Sequence, residues 1–392
     1  MNFPERFANL PVATWPRLRG LLDSVPPGGD VINMTIGEPQ HAFPKFVTDT
    51  VMDALPDLNK YPNNNGIPEL LEAMAGFLNR RYGVTIPTDR IMALNGTREG
   101  LYNALMAICP ETKGGAKPNV LVPNPFYQVY AVAALSVAAT PVYVPATKET
   151  GHLPDFAGLD AKTLDQTAVV YICSPANPQG AVADRDYWAK LFELAEKHDF
   201  VVFADECYSE VYRDTPPIGA LEVAEEVGLN PERLVVFHSL SKRSNLAGMR
   251  SGFCVAGPES IARIRSLRAY AGAPLPGPFQ AVAAKVWADD THVAESRALY
   301  QEKYTVADEV LGNLPGYMSP VAGFFLWLPV KDGETAALKL WSETGVRVLP
   351  GAYLSHGEGA DNPGKSYIRV ALVAPKEDVR QGLIKLKSCL YG

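Results

Sequence analysis

Residues 234–250 read LVVFHSLSKRSNLAGMR. The run Leu234-Val235-Val236-Phe237 shows no polar alternation, which marks a short strand buried on both faces. Beyond His238 the chain turns polar, with Ser239, Ser241, Lys242 and, past Gly248, Arg250. A lysine is ordinarily solvated or paired at the surface. One placed directly after a buried strand needs a reason, and the reason depends on what the other strands carry at the same end.

Runs of the same kind recur along the middle of the chain: IMAL (91–94), VLV (120–122), PVYV (141–144), AVVYI (168–172), FVVFA (200–204), LVVF (234–237) and FCVA (253–256). Amphipathic helical patterns separate several of them. TREGLYNALMAI comes after the first, and DRDYWAKLFELAEKHD precedes FVVFA with apolar residues at Tyr187, Trp188, Leu191, Phe192 and Ala195. Strand–helix alternation implies right-handed crossovers and helices on both faces of a sheet. The expected fold is therefore α/β: a large domain over residues 46–280 with a seven-stranded, mostly parallel sheet, plus a smaller α/β domain. That second domain, residues 281–392, comes after a break at GAPLPGPFQ. It opens with a long helical region from about 279 to 313, then carries the runs FFLWLPV, VRVLP and YIRVALV. Residues 1–45, rich in Pro and Gly around the apolar VINMTI, join the smaller unit. A cleft between the two is a natural ligand site.

The 392 residues are 47% hydrophobic and 20% charged, the profile of a globular chain with a large core. Thirty-six basic residues against 43 acidic ones give a net charge of −7, with no basic stripe suited to nucleic acid. MNFPERFANL lacks the apolar core of a signal peptide, and VYAVAALSVAATPVYV is too short and broken to span a bilayer. The five cysteines are odd in number and form no CxxC pair. They point to neither a disulfide framework nor a metal site, and a cytoplasmic location is expected.

In open α/β sheets ligands collect beyond the carboxyl ends of the strands. After IMAL comes NGTREG, a turn into a helix whose first amides suit a phosphate. After VLV comes PNPFYQVY, with Tyr127 able to stack on a planar ring. CSPANPQG comes after AVVYI and brings Asn177. DECYSEVY comes after FVVFA and brings Asp205 and Tyr208, which share a face if a helical turn begins there. Each signal alone has a plain structural reading: a capped helix, a packed ring, a turn, a salt bridge. Together they place a phosphate cup, an aromatic, an amide, a carboxylate, a phenol, a lysine and an arginine at one edge of one sheet. That set fits a phosphorylated aromatic heterocycle bearing an aldehyde. A desolvated lysine forms a Schiff base with such a carbonyl, and a carboxylate keeps a pyridine nitrogen protonated.

The chain resembles the class I/II aminotransferases, fold type I of the pyridoxal-phosphate enzymes. The motifs carrying the resemblance run in order: TIGEP, KYPNNNGIPELLEA, NGTREGL, PNPFYQVY, SPANPQG, ADECYSEVY, SLSKRSNLAGMRSG and YIRVAL. The resemblance implies pyridoxal 5'-phosphate as cofactor, with Lys242 as the Schiff-base lysine and proton carrier. Asp205 would pair with the ring nitrogen, Tyr208 and Asn177 with the phenolic oxygen, and Tyr127 with the ring face (Phe126 if the register slips by one). Gly96, Thr97, Arg98, Ser239 and Arg250 would form the phosphate cup. Tyr61 would reach the phosphate of a neighbouring subunit, so a homodimer with shared active sites is implied. Arg369 would clamp the substrate α-carboxylate, beside Asn177, and Gly37 would let the N-terminal segment close over it.

The implied reaction moves an amino group from an amino acid, with glutamate as donor, to a 2-oxo acid by a ping-pong sequence. GEPQHAFP, KYPNNNGIPEL and NGTREGL look most like the bacterial N-succinyldiaminopimelate aminotransferases of lysine biosynthesis. Arg268 is the candidate second cation for such a dicarboxylate. Other readings are an aspartate or aromatic aminotransferase, a C–S β-lyase using the same residues, or a degenerate ligand-sensing relative. The last is disfavoured by the retained Lys242 and by the short stretch ahead of TIGEP.

Overall fold

In the computed structural model, which describes residues 3–392, twelve strands occur in chain order. They are β1 (Ile32–Asn33), β2 (Ile91–Leu94), β3 (Asn119–Asn124), β4 (Thr140–Pro145), β5 (Thr167–Cys173), β6 (Val201–Asp205), β7 (Leu234–Ser239), β8 (Gly252–Val255), β9 (Phe325–Pro329), β10 (Val346–Arg347), β11 (Leu349–Pro350) and β12 (Tyr367–Ala371). The seven apolar runs are β2 to β8, and they form one sheet in the order β2-β8-β7-β6-β5-β3-β4. β3 through β7 pair in parallel. β8 alone runs against both its neighbours.

The continuous apolar runs are explained by two cores. Along β5, Val170 and Ile172 face one core while Val169 and Tyr171 face the other. Helices Pro68–Tyr82, Arg185–His198 and Gly277–Ala288 cover the first side. Helices Thr97–Ile108, Gln128–Ser136 and Pro258–Arg268 cover the second. The helix Arg185–His198 shows how local sequence sets an element. Asp184 caps it by accepting from the Tyr187 amide at 2.8 Å, and Asp199 ends it in the left-handed region at φ 56°. Between them Trp188, Leu191, Phe192 and Ala195 are buried. Burying each of the three large side chains stabilises the fold by about 1.5–3 kcal/mol, and Asp184→Ala costs about 1 kcal/mol.

The reversed strand positions the site. Ser239 and Gly252 pair directly, and only a short connection separates them. The twelve residues 240–251 fold back on themselves as two short helical turns, Leu240–Arg243 and Ala247–Met249, and leave Lys242 at the carboxyl edge of the sheet. The next pair, Leu94 with Gly252, brings the turn after β2 alongside it.

The C-terminal part has its own sheet, order β11-β12-β9, and its own core with helices Gly333–Thr344 and Lys376–Tyr391. β1 pairs with β10, and Met34 enters that core. The single helical region expected over 279–313 is two helices, Gly277–Ala288 and Thr291–Leu311. Asp289 separates them by accepting from the amides of Thr291 and His292, each at 3.3 Å. The first helix buries Val282, Ala283, Val286 and Trp287 in the large core. A boundary at 280/281 therefore cuts a helix of the large unit, and we propose the division at Asp289–Asp290 instead. Of the N-terminal segment 1–45, residues 1 and 2 lie outside the described residues. No described helix is long and apolar enough to cross a membrane.

Candidate active site

A cavity of about 450 Å³ opens at the carboxyl edge of the large sheet, where the N-terminal segment and β12 approach it. Lys242 enters it from the single helical turn Leu240–Arg243. Ser239 caps that turn, accepting from the Ser241 amide at 3.1 Å. The neighbour Arg243 points the other way and is buried. It donates to the Val286 carbonyl at 2.9 Å, the Asp289 carbonyl at 3.1 Å and the Asp290 carboxylate at 2.7 Å. One residue anchors the turn so that the residue beside it can face the cavity. Lys242 Nζ donates to the Gly37 carbonyl. Burial brings its amine down to about 8, and Arg369 and Arg250 act in the same direction.

Asp205 is the last residue of β6 and is buried. Burial pushes its carboxyl up, opposed by hydrogen bonds from Cys207 and Tyr130 and by the charge of Lys242. Tyr130 donates to Oδ2 at 2.7 Å and the Cys207 amide to Oδ1 at 3.3 Å. Asn177 lies just past β5 and spans two other groups. Its Nδ2 donates to the Tyr208 hydroxyl at 3.4 Å, and its Oδ1 accepts from Arg369 Nη1 at 3.0 Å. Burial holds the Tyr208 phenol well above 10, so it stays protonated.

Gly96 precedes the helix Thr97–Ile108 at φ +81°. A Cβ there would lie 2.2 Å from Arg250 Nη2, so only glycine lets that guanidinium close on the helix start. The first-turn amides have no partner within a helix, and the helix N-terminus favours an anion. Thr97, Arg98, Ser239 and Arg250 line the same cavity. Arg98 Nε donates to the Tyr127 hydroxyl at 2.8 Å, tying a cup residue to an aromatic one. Tyr127 and Phe126 both line the cavity. Phe126 is the more buried of the two and packs on Tyr143 at 5.1 Å.

Arg369 reaches the cavity from β12 and is buried. Nη2 donates to the Thr35 carbonyl at 2.8 Å, the guanidinium lies 4.1 Å from the Phe325 ring, and Nε has no partner. Burial lowers it to about 10, where it keeps its charge at neutral pH. A buried cation with an unused donor is built for an anion. Gly37 sits over Phe325, where a Cβ would be 2.4 Å from Cζ, so the strap carrying the Lys242 acceptor can pass that close only as glycine.

Two expected residues lie elsewhere. Arg268 is buried and paired with Glu99, which also accepts from Asn103 at 2.5 Å. It does not line the cavity, because helix Pro258–Arg268 packs on helix Thr97–Ile108 and Glu99 neutralises it there. Tyr61 is fully exposed and outside this chain's cavity. Sequence reasoning also missed Tyr130, Cys207 and Thr35. The only signal for Tyr130 was its place three residues beyond Tyr127, one helical turn away.

The residues fit pyridoxal 5'-phosphate on their own terms. A glycine-walled cup meets a helix start and Arg250 at one end, a buried carboxylate stands in the cavity wall, and a lysine lowered to about 8 shares the space. Comparison with known proteins agrees. The family model for aminotransferase class I and II matches residues 29–386. The LL-diaminopimelate aminotransferase of Dehalococcoides mccartyi strain 195 is 33% identical, over 98% of each chain. An aminotransferase structure from Neisseria meningitidis Z2491 superposes with a TM-score of 0.93 at 34% identity, covering 98% of this chain and 99% of that one. The aminotransferase AspB from Helicobacter pylori 26695 gives 0.89 at 31% identity, covering 99% of both. The chain belongs to the class I and II aminotransferases, pyridoxal-phosphate enzymes of fold type I.

Proposed function

We propose that this aminotransferase exchanges amino groups between glutamate and an amino acid of the diaminopimelate skeleton, N-succinylated at its far end. When bound, pyridoxal 5'-phosphate supplies an electron-withdrawing ring conjugated to the substrate Cα. The protein supplies placement and proton movement. Arg369 takes the α-carboxylate in a two-pronged grip, and Asn177 holds both that guanidinium and Tyr208 in register. Lys242, with its amine at about 8, is a base of suitable strength to lift the α-proton and return it. Asp205 keeps the ring nitrogen protonated, while Gly96, Thr97, Arg98, Ser239 and Arg250 hold the phosphate. The observation that carries the reading is the buried Arg369 beside Asn177, 3.0 Å apart in the same cavity as Lys242. It selects an α-amino acid.

The motifs around Gly37, Tyr61 and Gly96 support the succinylated form. A second reading, unblocked LL-diaminopimelate, is favoured by the name of the D. mccartyi relative. Arg268, committed to Glu99, has no part in either. Exposed Tyr61, with Met52 and Leu58 close by in sequence, supports a homodimer in which Tyr61 completes the partner's phosphate cup. A donor and acceptor screen tests the substrate. Glutamate-dependent turnover with the succinylated oxo acid exceeding that with the unblocked compound, aspartate or aromatic substrates supports the first reading. Preference for the unblocked compound replaces it with the second. Release of ammonia and pyruvate from cystathionine without amino transfer would overturn both.

A further inference from the structure

We infer that Tyr130 is a positioning residue for this reaction, its hydroxyl fixing the orientation and charge of the Asp205 carboxylate. The inference rests on the reading that Asp205 receives the protonated ring nitrogen of the cofactor.

Tyr130 Oη stands 2.7 Å from Asp205 Oδ2, and both side chains are buried. The ring has little freedom. It stacks on Tyr171 at 4.5 Å with 12° between planes, and Tyr127 meets it edge-on at 5.7 Å and 90°. Tyr171 is itself fixed by donating to the Leu101 carbonyl at 2.7 Å. The hydroxyl is therefore held against Oδ2 by packed rings rather than by its own torsions. The direction of the bond is set by charge. A phenol buried beside a carboxylate keeps its proton, so Tyr130 donates and Asp205 accepts.

A carboxylate offers about four lone-pair directions. Tyr130 takes one on Oδ2 and the Cys207 amide takes one on Oδ1. Asp205 also lines the cavity, so acceptor capacity remains on the open side for a ring N–H. Without the phenol, the same burial that desolvates Asp205 would favour its protonated form. A neutral acid cannot keep a pyridine nitrogen charged. Tyr130 acts through Asp205 and is one helical turn from Tyr127, so the helix Gln128–Ser136 and its cap deliver both the stacking ring and the carboxylate's donor.

Tyr130→Phe removes the donor and keeps the ring. The expected result, with glutamate as donor, is a first half-reaction slowed roughly ten- to hundredfold, the worth of a hydrogen bond to a charged group. The apo-protein's dissociation constant for pyridoxal 5'-phosphate should rise roughly tenfold, while the KM for glutamate, set at Arg369, moves less than about twofold. The second variant is Asp205→Asn, alone and combined with Tyr130→Phe. Because the two residues act as one unit, the double variant should be scarcely slower than Asp205→Asn alone. Cofactor affinity and half-reaction rate within about twofold of the parent protein would overturn the inference, as would full additivity in the double variant. A parent protein that binds the cofactor but transfers no amino group would instead overturn the proposed function.

Discussion

Lys242 and Lys303 are both withdrawn from water, and burial holds both amines at about 8. They sit in different company. Lys303 lies on the helix Thr291–Leu311, where its Nζ meets His41 Nε2 at 2.7 Å and the Val373 carbonyl at 3.1 Å over the Tyr300 ring. Burial brings His41 down to about 4, so it is neutral and able to accept. Lys303 thus ties the N-terminal segment to the small unit and stays outside the cavity that Lys242 enters. Lys242 shares that cavity with Asp205, Tyr208, Asn177 and Arg369. Desolvation sets the basicity of both lysines; only Lys242 converges with other polar groups in a cavity, and the chemistry is proposed there.

The comparison breaks most easily on activity. Lys242→Ala should cut amino transfer by on the order of 10⁴-fold or more, since the proposed role of Lys242 is both nucleophile and base. Lys303→Met should leave steady-state turnover within a few-fold; an equal loss in both variants would erase the distinction. Next comes Arg369→Lys, which keeps the charge but loses the fork. It should lower kcat/KM for glutamate roughly a hundredfold, mostly through KM.

Stability against pH tests what the two lysines share, since burial holds both amines at about 8. Lys303 has a folded pKa of about 8, below the usual lysine value of 10.5. Between those values the unfolded chain binds more protons, so stability rises with pH across that window and is flat below it. The contribution is about 2 kcal/mol from about pH 8 to 10, and Lys303→Met should remove it from urea midpoints measured at those two values. An unchanged slope would mean that Lys303 is not held in this way. The smallest effect on turnover belongs to Arg268→Ala. It should leave succinyl-substrate kinetics unaltered while lowering stability by about 1–3 kcal/mol, because Glu99 loses its partner.

Much of this site was legible because the sheet is buried on both faces. Its strands read as uninterrupted apolar runs, and the polar residues that end them stand out: Asp205 after FVVFA, Ser239 and Lys242 after LVVF. Where information was not local in sequence, reading failed. Arg268 carries no mark of its burial against Glu99, since that pair joins helices 169 residues apart. Asp289 breaks a helix by capping the next one, which composition over 279–313 hides. Tyr130 falls inside the apolar run YQVYAVAAL and reads as core; its hydroxyl matters only because β6 ends opposite it.

Lys242 is the lysine proposed to bind the cofactor. Borohydride reduction of the protein loaded with pyridoxal 5'-phosphate, with peptide mapping of the product, tests it directly. One labelled peptide is expected, the one containing Lys242. Label on the peptide holding Lys303, or on any other, would contradict it.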